Sequence, residues 1–61
     1  MPASGELIRL MNYVDDINST LRRISSTVGT LTAEERNRLS EYMRAIAKTL
    51  DEVVEQLEKG Q

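Results

Sequence analysis

Residues 7–31 read LIRLMNYVDDINSTLRRISSTVGTL, with apolar side chains at Leu7, Leu10, Val14, Ile17, Leu21, Ile24, Val28 and Leu31. The steps between them alternate three and four residues without a miss. That spacing places all eight on one stripe of a helix, as the a and d positions of a heptad repeat. A stripe this regular implies a long amphipathic helix, and every other part of the chain reads as something for it to pack against.

Downstream, Leu39, Met43, Ile46, Leu50, Val53 and Leu57 repeat the pattern. The phase, however, is displaced. Leu31 to Leu39 is eight residues rather than seven, and carrying the first register onward would set Glu35 and Arg38 in the core. A continuous coiled coil would need a skip residue there. A break is favoured instead, because two stop-and-start signals coincide with the phase shift. Gly29 suits a left-handed residue closing a first helix. Thr32-Ala33-Glu34-Glu35 has the form of a capping box opening a second. The spacing therefore predicts helix 1 over about 5–28, a turn at 29–32 and helix 2 over about 33–59, in one helical-hairpin domain, 1–61. Ser4 is the expected N-cap of helix 1, with Glu6 in its first turn. Ser25-Ser26-Thr27 has weak helix propensity, so fraying is expected at that end. Met1 to Ala3 and Gln61 are expected to be loose. Gly60 stands just past the second helix.

A turn this short makes the helices antiparallel. The expected register pairs Leu7 with Val53, Leu10 with Leu50, Val14 with Ile46, Ile17 with Met43 and Leu21 with Leu39. The positions flanking the stripe are Met11, Tyr13, Asn18, Thr20, Ser25 and Thr27 on helix 1, and Ser40, Tyr42, Ala47, Thr49 and Val54 on helix 2. A two-stranded coiled coil wants charge there. Neutral, small or apolar flanks suit a helix that touches two neighbours. The fold class expected is thus all-α: an antiparallel helical hairpin that self-associates into a four-helix bundle.

Composition points the same way. The chain has 61 residues, no Cys, no His, no Phe and no Trp. Its core must be aliphatic, and for so short a chain apolar burial roughly cancels an ordering cost of about 1.5 kcal/mol per residue. Disulfides and thiolate or imidazole metal sites are excluded, which leaves self-association as the stabilising device. No apolar run approaches the roughly 20 residues of a membrane span. The opening Met-Pro-Ala-Ser-Gly lacks the basic and apolar regions of a secretion signal, so a cytoplasmic location is expected. Asn18-Ser19-Thr20 matches a glycosylation sequon, a chance match without secretion.

No catalytic triad, phosphate-binding glycine loop or metalloprotease signature is present, and neither an enzyme nor a cofactor is expected. Asp15-Asp16 and Asp51-Glu52 are the nearest approach to paired carboxylates. Adjacent helical residues point about 100° apart, so a solvated acidic face is the reading. Glu34–Arg38, Glu55–Lys59 and Lys48 with Asp51 or Glu52 are expected surface ion pairs worth about 0.2–0.5 kcal/mol each.

Arg22, Arg23, Arg36, Arg38 and Arg44 fall in the turn half of the expected hairpin, against Glu34, Glu35 and Glu41, leaving +2. Glu6, Asp15, Asp16, Asp51, Glu52, Glu55 and Glu58 against Arg9, Lys48 and Lys59 leave −4 in the other half. One use of those arginines is contact with RNA or another anion. In architecture alone, without a shared motif, a hairpin dimer resembles small plasmid-control proteins that bind RNA. The favoured use is charge complementarity between two hairpins packed head to tail. A net charge of −2 disfavours general nucleic-acid binding.

The expected homodimer interface is Leu7, Leu10, Val14, Ile17, Leu21, Ile24, Val28, Leu39, Met43, Ile46, Leu50, Val53 and Leu57. Ile8, Met11 and Val54 lie beside the stripe, where they widen the core or dock another protein. The expected function is that of a non-enzymatic interaction module, a small adaptor, regulator or scaffold. An RNA-binding regulator is the alternative.

Overall fold

The computed structural model describes residues 4–60. Among them are two α-helices and no strand. The first, α1, spans Ser4–Thr27, and the second, α2, spans Ala33–Lys59. Between them Val28–Thr30 forms one turn of tighter 3-10 helix. The chain divides into two units, residues 1–30 and 31–61, each described by itself below. The chain is therefore all-α and broken where the stripe changes phase. A single continuous helix is ruled out. The expected looseness of Met1 to Ala3 and Gln61 lies outside the described residues.

In the first unit, α1 begins at Ser4, one residue before the expected Gly5. The expected cap by Ser4 turns on a side chain outside the described set. Glu6 occupies the first turn, where the exposed N–H groups favour an acid, and its carboxylate lies 3.7 Å from Arg9. The far end differs from expectation in two respects. Helical geometry persists through Ser25, Ser26 and Thr27 despite their weak propensity. The reason is local hydrogen bonding. The Ser26 and Thr27 hydroxyls both donate to the Arg23 carbonyl, at 2.8 and 2.9 Å, and the Thr30 hydroxyl donates to the Thr27 carbonyl at 2.8 Å. The Thr27 carbonyl, which the helix end leaves without an intrahelical partner, thereby gains a donor, and the Ser26 and Thr27 hydroxyls are held against the carbonyl one turn back.

The second difference is Gly29. It is not left-handed, Gly60 being the positive-φ glycine among the described residues, and it sits in the 3-10 turn instead. With hydroxyls serving the terminal carbonyls and the last turn tightening, α1 ends without the left-handed closure that a glycine at this place suggested.

In the second unit the start of α2 follows the capping box. Thr32 is extended, with φ −71° and ψ 166°. Its hydroxyl accepts from the Glu35 N–H at 3.1 Å, and the Glu35 carboxylate accepts from the Thr32 N–H at 2.9 Å. Two otherwise unpaired donors are satisfied reciprocally. The Arg36 N–H then donates to the Thr32 carbonyl at 2.9 Å, the first regular helical bond. At the other end Gly60 adopts φ 77°, ψ 29°, and its N–H reaches the Gln56 and Leu57 carbonyls. Here the left-handed residue is real, and lacking a Cβ is what makes it inexpensive.

Two outcomes follow for the break. Gly29 has an ordinary φ and nothing within 4 Å of where a Cβ would stand. Gly29→Ala is therefore expected to leave stability unchanged or raise it by about 0.4–1 kcal/mol, by restricting the unfolded chain. A left-handed Gly29 would instead lose about 1–2 kcal/mol. Urea unfolding followed by circular dichroism separates the two. In the same assay Thr32→Ala is expected to cost about 1 kcal/mol through loss of the cap.

Candidate functional site

The candidate site is the apolar stripe on each helix. On α1, Leu7, Leu10, Val14, Ile17 and Leu21 are exposed by 43% (Leu21) to 60% (Val14). Ile24 and Val28, closing the first unit, are half-buried. On α2, Ile46, Leu50, Val53 and Leu57 are exposed by 45% (Val53) to 71% (Leu57), while Leu39 and Met43, like Leu31 just before the helix, are half-buried. No described side chain is fully buried. Ile8, Met11 and Val54 are exposed as well; Met11 and Val54 flank the stripe, whereas Ile8 stands on an outer position, one heptad before Asp15. Single exposed leucines are ordinary on protein surfaces. An unbroken row of them along two helices marks a surface that something covers.

The charges around the stripe are disposed in an informative way. By heptad position, nearly every charged residue of both helices falls on the three outer positions. Three do not: Glu6 and Glu35 on a flank, and Arg36 in line with the stripe. Each of the three is engaged locally. Glu6 pairs with Arg9, Glu35 closes the capping box, and the Arg36 guanidinium donates from Nη1 to the Leu31 carbonyl at 2.8 Å. The stripe and its flanks thus carry no free charge. The flanks hold hydroxyls, amides and two tyrosines, Tyr13 and Tyr42, both exposed. Such a surface can be desolvated by an apolar partner without stranding an ion.

The remaining candidates stay on the outer faces. Arg22 and Arg23 are neighbours on α1, pointing apart by about 100°. Arg38 and Arg44 lie on the outer side of α2, whereas Arg36 is committed to Leu31. The surface ion pairs expected on α2, including Glu34–Arg38 and Glu55–Lys59, are not formed. The ion pair within 4 Å among the described residues is Glu6–Arg9, with both side chains over 60% exposed. Long exposed side chains gain too little from pairing to give up their freedom. Among the described residues no three acidic side chains cluster to hold a metal ion, and no helix is long and apolar enough to cross a membrane.

Laid side by side at a displacement of 29 residues, α1 and α2 share a register. Leu10, Val14, Ile17, Leu21, Ile24 and Val28 fall on Leu39, Met43, Ile46, Leu50, Val53 and Leu57. Tyr13 falls on Tyr42 and Thr20 on Thr49. Near the helix starts the charges agree, Glu6 with Glu35 and Arg9 with Arg38. Further along they oppose: Asp15 falls on Arg44, Arg22 on Asp51 and Arg23 on Glu52. The eight-residue step at the break hides this match from any reading of one continuous heptad.

Comparison with protein-family models, curated proteins and solved structures finds no match for this chain. The site is accordingly read from its own residues.

If the stripe is the working surface, charge placed on it is far more harmful than charge placed outside. Ile17→Asp or Leu50→Asp is expected to weaken association at least about a hundredfold, since burying an unpaired carboxylate costs several kcal/mol. Ser19→Asp, on the outer face of α1, is expected to change it less than about threefold. Sedimentation equilibrium measures both.

Proposed function

We propose that this chain is a non-enzymatic interaction module that acts by helix packing, first with a second copy of itself and through that assembly with another protein. The observation that carries the reading is the apolar stripe of both helices, exposed over most of its length and half-buried near the break, with its neighbouring charges engaged locally. In the proposed assembly each copy folds back as an antiparallel hairpin, with Leu21 facing Leu39 and Ile17 facing Met43. Two hairpins form a four-helix bundle, in which each helix meets two neighbours across its neutral flanks. A cytoplasmic setting fits a chain without cysteine.

Met11 and Val54 extend the stripe sideways, and together with the exposed Ile8 they are the residues proposed to receive a further protein. The reading as an RNA-binding regulator is weaker. Net charge is −2, and Arg36 donates to a backbone carbonyl of its own chain. Four arginines on outer faces remain, and counterion release by so few contacts gives only weak, salt-sensitive binding.

Light scattering after size exclusion at micromolar concentration tests the self-association. The expected mass is at least twice 6.9 kDa. A stably folded monomer at that concentration is the result that removes the proposal. Ile17→Ala and Leu21→Ala are each expected to cost the assembly about 2–5 kcal/mol per buried side chain, read from concentration-dependent unfolding.

A further inference from the structure

We infer that the stripe carries an oxidation switch at Met43: a peroxide converts its thioether to the sulfoxide, and the modified copy associates far more weakly. The inference rests on the self-association proposed above and adds its regulation. It holds whichever apolar surface covers the stripe, and in whichever direction.

The first ground is where the sulfur stands. The chain has three methionines and no cysteine, so its oxidisable sulfur is all thioether. Met1 lies outside the described residues. Met43 is a stripe position of α2, between Leu39 and Ile46, and Met11 flanks the stripe of α1. In the unassociated copy neither is sealed: Met43 is half-buried and Met11 is 58% exposed. A small oxidant therefore reaches both sulfurs before association and loses access to Met43 once the stripe is covered.

The second ground is what surrounds Met43. The side chains one turn away on its own helix are Leu39, Ser40, Ile46 and Ala47. Three of them are apolar. The fourth has its proton committed, since the Ser40 hydroxyl donates to the Asn37 carbonyl at 3.1 Å. A sulfoxide oxygen is a strong acceptor without a hydrogen of its own. On a covered stripe it finds no donor on its own helix, and an apolar partner supplies none. Burying an unpaired polar group of this kind weakens association by about tenfold or more. Met11 differs because it stands at the rim, where a sulfoxide oxygen keeps its water.

The chemistry balances. The thioether sulfur attacks one peroxide oxygen, the O–O bond breaks and an S–O bond forms. The sulfur loses two electrons, the peroxide gains them, and with hydrogen peroxide the other oxygen leaves as water. A dithiol-dependent sulfoxide reductase reverses the step: the sulfoxide oxygen leaves as water and the two thiols become a disulfide. The switch is thus reversible, and a free copy is its substrate.

The test uses hydrogen peroxide on wild type, Met43→Leu and Met11→Leu, the leucines conserving apolar volume. Mass spectrometry locates the added oxygen, sedimentation gives the dissociation constants, and circular dichroism follows helicity. Oxidised wild type and oxidised Met11→Leu are expected to associate at least about tenfold more weakly than before treatment, and sulfoxide reductase is expected to restore both. Oxidised Met43→Leu is expected to stay within about threefold of its untreated form. Untreated Met43→Gln, which sets a polar group at the same place, is expected to be as weak as the oxidised wild type. Oxygen uptake at Met43 is expected to slow as chain concentration rises through the dissociation constant, and uptake at Met11 to slow less. An oxidised Met43→Leu that weakens as much as wild type overturns the switch, as does an oxidised Met11→Leu that keeps its affinity; both leave the self-association standing. A wild-type chain that is monomeric at micromolar concentration before any oxidation removes the association and the switch together.

Discussion

The structure depends on an apolar stripe that its own helix cannot cover. A helix buries a face only against another element, and in each unit described here that face is open. The side chains that would let 61 residues close a core on their own are missing: there is no Phe or Trp to supply area, no Cys to tie a loop, no His to bind a metal. The isolated helix is no substitute. Nucleation is unfavourable, and most helical stability in proteins comes from packing of the amphipathic face. In the proposed assembly helix formation and association are linked equilibria, and helicity follows concentration.

Around that stripe the charges solve a second problem. A coiled coil that selects its partner through charged flanks keeps those charges at the rim of the interface. This chain keeps its flanks neutral and uses local bonds to hold the three ions that stray toward them, Glu6, Glu35 and Arg36. The capping box shows the economy of the arrangement. One carboxylate starts α2 and is simultaneously withdrawn from the flank. The remaining charges stand on the outer positions, where exposed pairs are individually weak and screened by salt.

How much of this was legible depended on the range of the interaction concerned. The capping box at Thr32 and Glu35 and the left-handed Gly60 are written in three or four adjacent residues, and the structure has both. The all-α fold and its break follow from periodicity and phase, which are also local signals. Gly29 was misread because residue type was taken as conformation. A glycine permits a left-handed turn without requiring one, and here the Thr30 hydroxyl serves the terminal Thr27 carbonyl while Ser26 and Thr27 bond back to Arg23. The same hydroxyls explain why α1 stays helical where propensity argued for fraying. The ion pairs expected on α2 failed for a different reason: spacing makes a pair possible, but for exposed lysine, arginine and glutamate the entropy of the free side chain is comparable to the gain. The stripe residues were all legible, yet what covers them was not, since a heptad pattern is equally consistent with any apolar partner.

The break has a further consequence for assembly. Its polar groups are served from within: hydroxyls at the end of α1, the reciprocal bonds at Thr32 and Glu35, and the Arg36 guanidinium on the Leu31 carbonyl. None of these bonds draws on an apolar side chain of the stripe. The point where α1 stops and α2 starts is thus specified before any association takes place. Association need not supply the ordering of those residues, a cost that otherwise subtracts from affinity. It also means that the phase of α2 is set by Thr32 and not by its partner.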